Sequence, residues 1–158
     1  MVKPMILNEF NLYDDNKTAK NADAFLKNIK RIARLAGQNP TALKSPNLSG
    51  VAVTHSFENT FENQVIDHVS AVETAPKIFN DTYFALSCVS ERSRKILLGS
   101  YIDGLTDEIM ANRIGYSKSS YRKFKKVALN EFADAMSSHK TILNIDLHET
   151  SGDLVWFW

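Results

Sequence analysis

The segment "LTDEIMANRIGYSKSSYRKFKKVALNEFADAM", residues 105–136, carries the clearest structural signals in the sequence. Thr106 and Ser117 each precede a run with helical spacing, and a hydroxyl in that position accepts a hydrogen bond from a free amide of the first helical turn. Two acidic residues follow Thr106, where the helix dipole favours negative charge. Gly115 lies between the two starts and permits a sharp reversal of the chain. The segment therefore predicts two helices joined by a very short turn.

A third helix is predicted directly before these two. Ser90 is its expected N-cap, and Gly104 permits the reversal at its end. Two helices that cross steeply need a small residue at their contact and a flexible one at the corner, and Ala111 and Gly115 meet those needs. Residues 90–136 therefore have the pattern of a helix-turn-helix unit.

At about 100° per residue, the last of these helices separates into two faces. Its inward stripe spans roughly 80° and consists of Tyr121, Phe124, Ala128 and Phe132. Roughly the opposite 140° carries hydrogen-bond donors and no acid, namely Lys118, Ser119, Arg122, Lys123 and Lys126. The major groove of DNA admits one helix with such a face. We predict that this face reads DNA, with Ser120 as a further phosphate contact.

The charge of the chain is distributed unevenly. The formal net charge is only +1, yet residues 89–126 hold nine Lys or Arg against four Asp or Glu, which leaves this segment near +5 and the remainder near −4. A local excess of positive charge attracts a phosphate backbone. A solvated helix face, or a face that docks an acidic protein partner, remains an alternative interpretation.

A long amphipathic helix is predicted for residues 18–36. Thr18 is its expected N-cap, and Gly37 followed by Pro40 provides the stop. The outer face of this helix is basic and is a secondary candidate for DNA contact, although a solvated surface is the simpler interpretation. That face consists of Lys20, Lys27, Lys30, Arg31 and Arg34.

Composition divides the chain into four parts. Residues 1–38 form an N-terminal helical segment, and residues 39–56, rich in Pro, Gly, Ser, Thr and Asn, form a linker or loop. Residues 57–139 form a helical body that contains the helix-turn-helix unit of residues 90–136, which we call the reader unit. Residues 140–158 form a tail that could make a short β-hairpin, and whose closing aromatic residues either fold back on the body or meet a partner. The expected fold class is mainly α.

Within the helical body, an acidic amphipathic helix is predicted from residue 57 onward. Pro76 is expected to end it, because proline removes an amide donor and clashes with the preceding helical turn. A second helix is then predicted for residues 75–87.

The sequence lacks the usual signatures of catalysis. Cys88 stands alone and next to apolar residues, which predicts a small buried side chain and no disulfide within the chain. The four histidines do not have metal-ligand spacing: His55, His68, His139 and His148. No phosphate-binding glycine loop or nucleophile motif occurs. We expect no enzyme, cofactor, metal, small-molecule substrate or membrane insertion, and a location in the cytoplasm.

Two resemblances add to these predictions. The segment "LLGSYIDGLTDEIMANRIGYSKSSYRKFKKVALNEFA", residues 97–133, resembles the promoter-binding helix-turn-helix of bacterial sigma factors. Over about residues 10–136, from "DDNKTAKNADAFLKNIKRIARLAG" to "GYSKSSYRKFKKVALNEFADAM", the chain resembles the ArpU family of phage-encoded transcriptional regulators. The tail departs from the family pattern.

The resemblance implies an activator of late phage genes for lysis, packaging or structure, which binds double-stranded DNA through Lys118, Ser119, Arg122 and Lys123. RNA polymerase and a second copy of the chain are further expected partners. Three alternatives stay open: a small terminase subunit that assembles rings, a sigma-type subunit that binds core RNA polymerase, and a pure protein-interaction module.

Overall fold

The computed structural model describes residues 14–46, 63–138 and 147–148, and residues 63–70 only at the level of the backbone. The helices, in chain order, are α1 (Asp15–Lys27), α2 (Ile29–Leu35), a 3-10 helix (Pro40–Lys44), α3 (Asn63–Cys88), α4 (Glu91–Leu97), a π-helical turn (Leu98–Ile102), α5 (Asp107–Ile114) and α6 (Lys118–Ser138). No strand occurs among the described residues, and the mainly α prediction is confirmed. The predicted hairpin falls almost entirely on residues outside that set.

The first helix begins earlier than the sequence predicts, and it is interrupted. Asp14 is the N-cap, and its carboxylate accepts hydrogen bonds from the amides of Asn16 (2.9 Å) and Lys17 (3.0 Å). The prediction of Thr18 as the cap is wrong, since Thr18 lies within α1 and is only 1% exposed. A charged carboxylate is a stronger acceptor than a hydroxyl, which favours the earlier start. Asn28 then separates α1 from α2.

The prediction that Pro76 ends a helix is also wrong. Asn63–Cys88 is one continuous helix with Pro76 inside it. Proline removes one hydrogen bond to the carbonyl four residues earlier. That residue is Val72, which is exposed, so water has access to this side of the helix and can replace the missing donor.

Cys88 and the predicted linker also differ from their simplest interpretation. Cys88 is exposed at the end of α3 rather than buried. Pro40–Lys44, at the start of the predicted linker, forms a 3-10 helix whose Leu43 is fully buried in the core. Residues 47–56 of that linker lie outside the described residues.

The centre of the molecule is α6, which packs against α1, α3, α4 and α5. Tyr121 and Phe132 of α6 are fully buried, and the ring of Phe132 lies 5.9 Å from the ring of Phe25 in α1. Leu147 and His148 of the tail are buried as well. Asn21 of α1 donates to the carbonyl of Leu147 (3.3 Å). At these two residues the tail folds back on the body.

In the part of the chain that the structure describes, no helix is both long enough and apolar enough to cross a membrane.

Candidate nucleic-acid interface

Both α5 and α6 are capped at their N-terminal ends as the sequence predicts. The hydroxyl of Thr106 accepts from the amide of Ile109 (3.3 Å), and the hydroxyl of Ser117 accepts from the amide of Ser120 (3.3 Å). Gly115 ends α5 with φ of 76°, in the left-handed region that glycine adopts without strain. Only residues 115–117 separate the two helices. This short connection fixes where α6 begins relative to α5.

The inward stripe of α6 is buried. Tyr121, Ala128 and Phe132 are fully buried, and Phe124 is half-buried with the guanidinium of Arg92 3.9 Å from its ring centre. The hydroxyl of Tyr121 lies 2.8 Å from that of Ser100 in the π-helical turn. These contacts prevent α6 from rotating, and so determine which of its residues face the solvent.

The five residues of the predicted reader face are all exposed: Lys118, Ser119, Arg122, Lys123 and Lys126. Ser120 is not with them, because it lies about 60° beyond the edge of that arc, is half-buried and bonds to Ser117. The separation of the two faces is present as the helical spacing predicts. The part that each residue plays in binding stays a prediction.

None of the ion pairs found among the described residues involves a cation of the reader face. The pKa of Asp14 is lowered first by a hydrogen bond from the backbone amide of Lys17, and the charge of Lys126 helps to lower it further. Lys125, the remaining basic residue of the segment "SKSSYRKFKK", forms an ion pair with Asp107 of α5 (3.0 Å) and lies 5.4 Å from the ring centre of Tyr101. Lys125 therefore stabilises the packing of α6. Lys118, Arg122, Lys123 and Lys126 keep their charge facing solvent, where it can meet a polyanion.

The small contact in this unit is Gly99, which the sequence analysis missed. A Cβ atom at Gly99 would overlap the end of the Met110 side chain, so glycine accommodates the position that this flexible side chain adopts in α5. Ala111 is buried as predicted. Gly115 has open space where a Cβ atom would lie, so its role is backbone conformation rather than close packing. A glycine within the helical pattern "LLGSY" was the available signal for Gly99.

A hydrogen bond between Tyr101 and Asp23 connects this unit to α1. Burial, and then the bond to Asp23, raise the pKa of the Tyr101 hydroxyl. Burial alone would raise the pKa of Asp23, but hydrogen bonds from Lys27 and Tyr101 outweigh it and lower that pKa below 3.8. Both groups therefore hold the states that the bond needs: a neutral donor and an ionised acceptor.

The secondary basic face on α1 and α2 is exposed as well. All five of its residues face solvent: Lys20, Lys27, Lys30, Arg31 and Arg34. Lys27 forms an ion pair with Asp23 (2.8 Å). Lys30 extends toward the corner before α5, with its amine 4.0 Å from the point where a Cβ atom of Gly104 would lie. Within the described ranges, no group of three His, Cys, Asp or Glu residues could hold a metal ion.

The chain is 30% identical over 131 residues to the "Putative autolysin regulatory protein ArpU" of Enterococcus hirae, and the match covers 82% of this chain and 93% of that protein. The chain belongs to the ArpU family. The resemblance predicted from the two quoted segments is thereby confirmed at the level of the family. No family model matches this ArpU-family chain, and no solved structure does. The likeness of residues 97–133 to sigma factors stays a prediction.

Proposed function

We propose that this ArpU-family protein is a sequence-specific DNA-binding regulator of transcription. The observation that carries the proposal is the exposed, acid-free face at the start of α6, which follows a three-residue turn and is held outward by a buried aromatic stripe. A preformed cationic helix of this kind fits the major groove. The relative from E. hirae is itself named a regulatory protein, which agrees with this role.

The reader face divides into two kinds of contact in this proposal. Arg122, Lys123 and Lys118 contact base edges, where the guanidinium of arginine or the ammonium of lysine can donate to the acceptors of guanine and so distinguish it from other bases. Ser119 and Lys126 contact phosphates and set the position of the helix on the duplex. Ser120 contributes through its bond to Ser117, which holds the first turn of α6. The family resemblance favours activation of late phage genes as the outcome of binding.

Selection of bound duplexes from a random or genomic library tests the proposal. We expect one enriched sequence. When affinity is measured by fluorescence anisotropy, a plot of the logarithm of the binding constant against the logarithm of the salt concentration should have a negative slope of about 0.9 for each phosphate that the protein neutralises. Lys95→Ala is a matched control, since Lys95 is an exposed cation on α4 whose partner is Glu91. The control should bind like the unmodified protein. Absence of duplex binding at low salt would instead favour a protein-docking function for α6.

A further inference from the structure

A second face of α6 overlaps the reader face at Lys123 and Lys126 and continues past it. Asn130 and Glu131 of this second face are half-buried, and its other residues are exposed. We call it the pairing face, and it consists of Lys123, Lys126, Val127, Asn130, Glu131 and Asp134. Together with Asp15 of α1, these residues line a shallow groove along the helix. Val127 is 47% exposed, so an apolar side chain lies at the middle of the face.

The charges of the pairing face have a reversal symmetry. Its basic residues, Lys123 and Lys126, lie toward the start of α6, and its acids, Glu131 and Asp134, lie toward the end. Each lysine is as far before the midpoint between residues 128 and 129 as one acid is beyond it. Val127 and Asn130, at the centre of the face, are also equally far from this midpoint. A helix face with this pattern is complementary to itself when turned end for end.

We propose that the pairing face binds the same face of a second copy of this chain, with the two α6 helices antiparallel. Lys123 then lies opposite Asp134 of the second copy, and Lys126 lies opposite its Glu131. The two-fold axis repeats both pairs, as an interface between identical patches requires. Val127 and Asn130 meet at the centre.

The acids of the pairing face are held in place while keeping room for a lysine. Glu131 accepts from the backbone amide of Ser90 (3.2 Å) and from its hydroxyl (3.1 Å). One oxygen of Asp134 lies 2.6 Å from a ring nitrogen of His148, yet the Asp134 side chain is 72% exposed. A carboxylate has about four acceptor positions, so each acid can accept a further donor from a second copy.

The arrangement leaves part of the reader face free for the proposed function. Lys118, Ser119 and Arg122 lie outside the pair, whereas Lys123 and Lys126 belong to both faces and would contact either the second copy or DNA. The centres of the reader and pairing faces lie about 80° apart around α6. When two helices pair antiparallel through one face, faces a quarter turn away point to the same side of the pair. The two copies of Lys118 would be about 32 Å apart along the helices, close to the separation of about 34 Å between half-sites one turn apart on DNA. This correspondence rests on the proposed function, whereas the pairing itself does not.

The pairing should be weak and sensitive to salt. Exposed ion pairs contribute little individually and are screened by salt, and one helix face buries less than a standard interface of about 1,600 Å². A covalent trap therefore tests the geometry better than a measurement of mass. Such a trap must first remove Cys88, the one cysteine of the sequence, because it is exposed.

In a Cys88→Ser background, chains with Val127→Cys are mixed with chains with Asn130→Cys under mild oxidation and without DNA. The proposal predicts a disulfide-linked pair, because these positions face each other. Lys118→Cys mixed with Asn130→Cys is the control. Those positions would be about 13 Å apart along the helices, beyond the Cα separation of about 7 Å that a disulfide can bridge. Linking no faster than in this control would overturn the pairing.

Charge reversal provides the second measurement. Lys126→Glu in the Val127→Cys chain should abolish most of the linking, because it places two acids opposite each other. Adding Glu131→Lys to the Asn130→Cys chain should restore linking. A folding defect caused by the lost bond to Ser90 could not produce that recovery. Linking that ignores these changes would contradict the proposed register, and neither result depends on whether the protein binds DNA.

Discussion

At the scale of single residues, Arg122 and Lys126 should differ in what they contribute to DNA affinity. Arg122→Ala should cost about 1 to 3 kcal/mol at one base pair of the selected site and little on random duplex, because a base contact is lost. Lys126→Ala should weaken binding to both duplexes and reduce the salt slope by about 0.9, because a phosphate contact is lost. Anisotropy titrations of both variants on both duplexes measure these effects.

The result that would contradict this division is an equal loss on both duplexes for both variants. Lys95→Ala again controls for the removal of one positive charge from an exposed helix position. A uniform loss in that control as well would indicate a general electrostatic effect rather than a reader face.

The bond between Tyr101 and Asp23 gives a prediction that depends on pH. Tyr101→Phe removes a donor from a partly buried carboxylate and should lower the free energy of unfolding by about 1 to 3 kcal/mol at neutral pH. Since the pKa of Asp23 lies below 3.8 in the folded state, its ionised form stabilises the fold above that value, and this stabilisation is lost as the pH falls through the folded pKa. The difference between variant and unmodified protein should therefore shrink in acid.

Urea unfolding at a series of pH values tests this prediction. Tyr83→Phe is the matched control, because the hydroxyl of Tyr83 donates to the backbone carbonyl of Ser45 (2.9 Å) and not to a carboxylate. Its cost should be similar at neutral pH and should not shrink in acid. A Tyr101→Phe cost that shrinks no more than the Tyr83→Phe cost at every pH down to acid unfolding would show that Asp23 contributes nothing through its charge.

At the scale of the helices, the turn between α5 and α6 depends on the backbone of Gly115. Gly115→Ala should destabilise the protein by about 1 to 2 kcal/mol, because an alanine at positive φ is strained. Gly115→Asn should cost less, since asparagine adopts this conformation more readily. No atom lies near the added Cβ, so packing cannot account for a difference. Equal urea midpoints for the two variants would argue against this account.

Local signals predicted the caps and turns of residues 90–136 well, because these features depend on few residues. Ser90, Thr106 and Gly104 act as the sequence indicates. The signals failed where two local features compete. The carboxylate of Asp14, a stronger acceptor, caps the first helix in place of Thr18. A single helix continues through Pro76, where Val72, four residues earlier, is exposed to solvent.

Features that depend on distant parts of the chain could not be predicted. The helical period showed which side of α6 is dry, but not that Phe25 of α1 would cover Phe132 there. The helical period also showed that Lys123 and Lys126 face outward. It could not show that Gly99 contacts Met110, because that contact depends on how the π-helical turn packs against α5. The sequence therefore predicts which residues of α6 face outward, whereas the contacts that hold α6 in place depend on tertiary packing.

At the scale of the whole molecule, α1 and α6 should unfold as one unit. Leu26 of α1 is almost fully buried in the core that α6 shares, and Leu26→Ala should cost about 2 to 5 kcal/mol. Amide hydrogen exchange in α6 should then accelerate as much as exchange in α1. Faster exchange confined to α1 would show that residues 1–38 and the reader unit are separate domains.

The predicted reader face lies on the first turns of α6, whose 21 residues extend over about 32 Å, and one side of this helix is packed against the body along its length. DNA would therefore bind a helix that is already folded rather than a segment that folds on binding. Calorimetry should accordingly record a heat-capacity change no larger than the buried contact area requires, with none of the excess that accompanies folding on a template.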